Sequence, residues 1–159
     1  MKHQDDMRFM REAIRLAALG SASGCGGPFG AVVVRKGRVV GRGCNRVTSS
    51  NDPTAHAEIV AIRDACRRLK SFQLDGCAIY ASCEPCPMCL GAIYWARPAR
   101  LVYACTRKDA ASIGFDDAML YREMLRPARK RKIAALQVLR HEALVVMRAW
   151  REQPGRKMY

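Results

Sequence analysis

The order of apolar runs constrains this chain more than any other feature. Met7, Met10, Ile14, Ala17 and Ala18 recur at helical spacing through residues 6–19. "GSASGCGGPFG" (20–30) then breaks the helix with glycines and a proline. Two β-branched runs follow in "AVVVRKGRVVGRGCN", joined at Lys36-Gly37 as in a hairpin. "SSNDP" hands over to a helix across roughly 55–70, with Asp52 or Thr54 as its cap. Beyond it the chain alternates. "CAIYAS" (77–82) reads as a strand, "CPMCLGAIYWAR" opens a helix and "RLVYAC" (100–105) is a strand. "DDAMLYREML" is helical, "IAALQVL" (133–139) reads as a strand, and "HEALVVMRAWRE" is a last helix. A hairpin followed by alternating helices and strands buries its sheet by laying helices on both faces. The expected fold class is α/β: a three-layer α/β/α domain spanning 1–159 around a central five-stranded mixed sheet.

Composition narrows the surroundings of such a domain. Half of the 159 residues are hydrophobic, and aromatics are few. No apolar run reaches membrane-spanning length, and the acids in "MKHQDDMRFMREAI" argue against a signal peptide. The expected location is therefore cytoplasmic, where the eight cysteines stay reduced and serve as small hydrophobes or metal ligands. The net charge of +14 suits an acidic partner or nucleic acid. Much of it lies in the last third, as in "RPARKRK" (126–132), with no aromatics interleaved. A solvated basic surface explains that run better than a nucleic-acid site does.

The chemistry concentrates in "SCEPCPMC" (82–89), where Cys83, Cys86 and Cys89 form two successive C-x-x-C pairs. Pro85 suits a first helical position, with Glu84 as the cap. Cys86 and Cys89 then share one face near the positive end of a helix, which favours thiolates. Cys83 ends a strand and points elsewhere. Of the three histidines, His3 lies at the terminus and His141 opens the last helix, while His56 sits at another helix start in "TAHAEIV". Two helix starts facing each other would bring His56, Cys86 and Cys89 onto one Zn²⁺ per chain. Three protein ligands leave the fourth position open, the mark of a catalytic zinc. A closed site with Cys83 as fourth ligand would leave Glu58 unexplained, and a redox pair would leave both His56 and Glu58 unexplained. H-x-E followed by P-C-x-x-C is the signature of zinc deaminases. In that chemistry zinc makes hydroxide available near neutrality, and Glu58 moves protons from the water to the ring nitrogen and the leaving amine.

Several further segments narrow the substrate: "GGPFGAVVV", "NDPTAHAEI", "SCEPCPMCLGAIYWARP", "GFDD" and the terminal "AWRE" and "KMY". On these the chain resembles the bacterial guanine deaminases of the cytidine deaminase superfamily. The resemblance implies hydrolysis of guanine to xanthine and ammonia. It implies zinc on His56, Cys86 and Cys89, with Glu58 as proton shuttle. Asn45 would hydrogen-bond the purine, Phe29 and Trp95 would wall its ring, and Asp117 would lie close to the exocyclic amine. Tyr159 would close over the site from a C-terminal segment, about 127–159, exchanged between the subunits of a homodimer. On residue type alone Asn45 could be a turn residue, Phe29 and Trp95 could be core, and Asp116 and Asp117 could be helix caps. The alternative within enzymes is a tRNA adenosine deaminase, and outside them a zinc-containing RNA-binding module.

Overall fold

The structure, a computed structural model, describes residues 3–158. It comprises two compact units, one through Asp117 and one from Ala118. The first unit opens with α1 (His3–Ala22) and a hairpin of β1 (Gly30–Arg35) and β2 (Arg38–Cys44). Lys36 and Gly37 both take positive φ, 48° and 72°, which matches a two-residue turn to the twist of the strands. The short α2 (Val47–Ser50) and α3 (Ala57–Leu69) follow, then β3 (Cys77–Cys83), α4 (Pro87–Ala96), β4 (Arg100–Cys105) and α5 (Arg107–Ser112).

The strands run in the order β2-β1-β3-β4. β1 is antiparallel to β2 and to β3, whereas β3 and β4 are parallel and joined through α4, so the sheet is mixed. Alternation along β1 divides the core. Ala31 and Val33 pack with Ala57, Ala61 and Ala65 of α3 and with Ile93 of α4. Val32 and Val34 face Phe9 and Ala13 of α1. Helices thus cover both faces, and the expected three layers are present. Each fully buried aliphatic side chain contributes about 1.5–3 kcal/mol relative to exposure. Small residues set the spacing: a Cβ on Gly43 would run into the Ala57 carbonyl, so the start of α3 rests directly on β2. On the opposite face, Asp6 of α1 accepts hydrogen bonds from the Tyr80 hydroxyl at 2.6 Å and from Arg100 at 2.5 Å, tying α1 to β3 and β4.

The second unit holds α6 (Ala118–Leu125), a 3₁₀ turn (Ala128–Lys130) and α7 (Arg140–Glu152). Here the structure corrects one expectation: residues 133–139 form no strand, and among the described residues the sheet has four strands, not five. A strand needs a neighbouring backbone to satisfy its N–H and C=O groups. The run has none among the described residues, and its side chains are exposed, Ile133 at 84 % and Leu136 at 87 %. Leu139, with φ 53°, turns the chain into α7. Among the described residues, no helix is long and apolar enough to cross a membrane.

Candidate metal centre

Two helix starts build the site. His56 is the N-cap of α3 and Cys86 the N-cap of α4, each in extended conformation, with Pro87 in the first turn of α4. The expected caps are therefore displaced. Pro85 and Glu84 lie before the helix, and Glu84 accepts the Arg107 backbone N–H at 3.0 Å, linking the end of β3 to α5. Asp52 does not cap α3 either; it accepts the Thr54 N–H and hydroxyl at 2.8 and 2.7 Å and folds the loop that delivers His56.

The consequence for the metal is as the helix-start argument required. The donor atoms of His56, Cys86 and Cys89 all lie within 4.8 Å of one another, and His56 Nδ1 is 3.6 Å from Cys86 Sγ. A tetrahedral ion with bonds of about 2.0–2.3 Å would hold nitrogen and sulfur donors roughly 3.5 Å apart. One imidazole and two thiols at that spacing fit zinc. Cys83 stands outside the group: it is buried, its thiol donates toward the Thr106 carbonyl at 3.5 Å, and burial pushes that thiol up to about 11. Cys86 is held well below the ordinary thiol range by the hydrogen bond from Cys89 and next by His56. The hydrogen bond to Cys86 in turn holds the His56 imidazole above its usual value.

Glu58 sits in the first turn of α3, buried beside these donors. Burial, followed by the Cys86 negative charge, raises its carboxyl above the usual range. Asn45 directly follows β2 and is 5 % exposed. Its Oδ1 accepts the Gly27 and Val47 N–H groups at 3.3 and 3.1 Å. Two donors on one oxygen fix the carboxamide orientation and leave Nδ2 as the donor without an acceptor among the described residues. Gly26 makes this possible, since a Cβ there would collide with Asn45 Oδ1.

Phe29 is half-buried and meets Phe115 edge-on, ring centroids 4.9 Å apart. The sequence reading missed Phe115; its signal was "GFDD" itself, quoted for the acid and not for the ring. Asp117 is partly buried, and its carboxyl is raised by burial and then by the Cys86 negative charge, which places it in the field of the metal donors. Trp95 is 65 % exposed on α4, so it is no core residue. Tyr159 lies outside the described residues.

Residues 3–105 match the family model for the cytidine and deoxycytidylate deaminase zinc-binding region, and the chain belongs to that family of zinc-dependent hydrolytic deaminases. The similarity to guanine deaminase of Bacillus subtilis (strain 168) is 53 % identity over 151 residues, covering 95 % of this chain and 97 % of the relative. The X-ray structure of guanine deaminase from B. subtilis superimposes with a TM-score of 0.94 at 52 % identity, covering 100 % of this chain and 99 % of that one. A tRNA-specific adenosine deaminase of Buchnera aphidicola (subsp. Schizaphis graminum) is 40 % identical over 109 residues, 69 % of this chain and 72 % of the relative.

Proposed function

We propose that this chain hydrolyses guanine to xanthine and ammonia. The zinc centre is common to deaminases of several bases, so it does not choose the substrate. What carries the reading is the extent of the likeness: identity to the guanine deaminase runs through 95 % of the chain, whereas identity to the tRNA deaminase stops at 69 %. Ammonia release by the purified, zinc-loaded protein should be measured with guanine, guanosine, adenine, cytosine and tRNA. Guanine should turn over fastest. Inosine forming in tRNA faster than guanine is consumed would overturn the reading.

His56, Cys86 and Cys89 would hold the zinc, which supplies Lewis acidity that makes hydroxide available near neutral pH. The chain's own groups do the rest. The Glu58 carboxylate takes a proton from the attacking water and passes protons to the ring nitrogen and the departing 2-amino group. Asn45 presents Nδ2 to an acceptor on the purine edge, held in place by the Gly27 and Val47 N–H groups. Asp117 accepts from the exocyclic amine. The ring lies against Phe29, braced by Phe115, with Trp95 as the outer wall.

The second unit completes this proposal. Its apolar residues, including Val145, Val146 and Met147 on α7, are exposed within the chain. Cover from a second copy would bury them, which supports a homodimer in which about 127–159 is exchanged and Tyr159 closes the partner's pocket. The eight free cysteines suit the reducing cytoplasm.

A further inference from the structure

A groove of ≈ 380 Å³ separates α1 from β2, and none of the zinc donors, Glu58 or Asn45 lines it. Arg8, Arg11, Arg15 and Arg42 surround it, with Glu12 as its one carboxylate and Phe9 and Val39 as its apolar lining. Positions 8, 11 and 15 fall on one face of α1, and Arg42 reaches across from β2. Glu12 accepts Nε and Nη2 of Arg15 at 2.8 and 2.9 Å and Nε of Arg42 at 3.2 Å. One carboxylate therefore holds two guanidinium groups side by side, and the hydrogen bond from Arg15, followed by that from Arg42, keeps its carboxyl down to about 2. Arg8 is held as well: its guanidinium lies 4.5 Å from the Phe9 ring centroid and donates to the Gly37 carbonyl at 3.0 Å. Arg11 makes no ion pair or hydrogen bond among the described residues.

We infer that this groove binds the polyphosphate group of a small anion, either inorganic polyphosphate or the chain of a nucleoside triphosphate. Four guanidinium groups against one carboxylate leave three positive charges in a groove of small-ligand size. Arginine forks match phosphate oxygens through paired N–H donors, and most donors here remain after Glu12 is served. Three of the four side chains are already positioned, so little conformational freedom is lost on binding. Phe9 is buried beneath Arg8, so no ring face is offered to a base. Recognition rests on phosphate alone. The same argument disfavours single-stranded nucleic acid, which gains much of its affinity from stacking on aromatic rings.

Isothermal titration calorimetry of the zinc-loaded protein tests this with inorganic tripolyphosphate, GTP, ATP and guanosine at about 50 mM salt, where the charges are weakly screened. Tripolyphosphate and both nucleotides should bind with similar affinity, and guanosine should not compete. Arg11→Ala should weaken tripolyphosphate about fivefold to tenfold, and Arg42→Lys should weaken it by removing the fork while keeping the charge. Arg11 makes no ion pair or hydrogen bond among the described residues, so its replacement should leave the thermal midpoint unchanged. Arg129→Ala with Lys130→Ala, in the exposed basic run, should leave binding unchanged. The inference fails if tripolyphosphate does not bind, or if the 129/130 pair weakens it as much as Arg11→Ala. GTP binding without tripolyphosphate binding would assign recognition to the base and overturn it. So would a single-stranded RNA that displaces tripolyphosphate and binds far more tightly.

Discussion

Residues 31–34, "AVVV", and residues 133–139, "IAALQVL", are built from the same kind of side chain, and they end in opposite conditions. The first lies in β1, flanked by β2 and β3, with its side chains sealed beneath α1 and α3. The second has no strand beside it among the described residues and stands exposed. Apolar periodicity states that a segment needs cover. It does not state where the cover comes from, and a strand additionally needs a backbone partner that its own sequence cannot supply. The first unit finds both within the chain. The second carries exposed apolar residues on α6, on 133–139 and on α7, the surface that the proposed exchange between copies would have to cover.

The candidate metal donors His56, Cys86 and Cys89, and Glu58 beside them, all lie in the first unit. Cys86→Ser or Cys89→Ser should strip zinc and abolish measurable turnover. Cys83→Ser should keep a full zinc complement and most activity, because the Cys83 thiol faces the Thr106 carbonyl. Metal analysis of the three variants decides it; equal loss from all three would mean a closed structural site. Glu58→Gln should retain zinc and the fold while lowering kcat by roughly 10²–10⁴-fold, the range for a lost general acid–base group. Turnover within a few-fold of the parent chain would remove Glu58 from the mechanism.

Much of this unit was legible in advance because its signals are local. The hairpin is written in β-branched runs around Lys36-Gly37. The zinc donors are written in two helix starts, since a helix end fixes where its first side chains reach. The caps were not legible because His56 and Cys86 are poor capping residues by type, and neither makes a side-chain cap hydrogen bond. Asn45 gave only a turn signal by itself. Its fixed orientation emerges from burial and from the Gly27 and Val47 N–H groups, which come from both sides of it in sequence. Phe115 stood in "GFDD", but its pairing with Phe29 could not be read, because the two rings lie far apart along the chain. The fifth strand failed for the reason given above: a strand is a relation between segments.

Removing residues 155–159 probes what the second unit adds. With Tyr159 as a lid, zinc content and melting behaviour should hold while guanine turnover falls about 100-fold, as for a misplaced reacting geometry. Full activity would end the lid proposal. A paired substitution then compares the two kinds of apolar site. Ile79→Ala, in the fully buried β3, should cost about 2–5 kcal/mol at any protein concentration. Val146→Ala on α7 should cost under about 0.5 kcal/mol where copies are dissociated, and more where they associate. Urea unfolding across a dilution series measures both. A concentration-independent cost at Val146 would mean that its cover does not come from a second copy.

The smallest expected effect separates the two regions by their acids. Glu12 ties α1 to β2 through Arg15 and Arg42, whereas Glu123 ties α6 to the following loop by accepting from Arg126 and from the Lys132 N–H. Both carboxyls are depressed, Glu12 from 4.5 to about 2, chiefly by the Arg15 hydrogen bond. A depressed folded-state value means that the unfolded chain binds the proton first. The Glu12 contribution is therefore complete above about pH 4.5 and is lost as pH falls toward 2. Its arginine partners are about half exposed, 56 % and 47 %, so solvent screening reduces the contribution to about 1 kcal/mol or less. Glu12→Gln should thus flatten the acid limb of stability between pH 4.5 and 2, and it should change little at lower pH. Glu123→Gln should leave that limb unchanged when unfolding is followed by amide exchange in β1 and β3, because its bonds close entirely within the second unit. If Glu123→Gln flattens the limb as much as Glu12→Gln does, the two units unfold as one, and the separation of their acids into independent regions no longer holds.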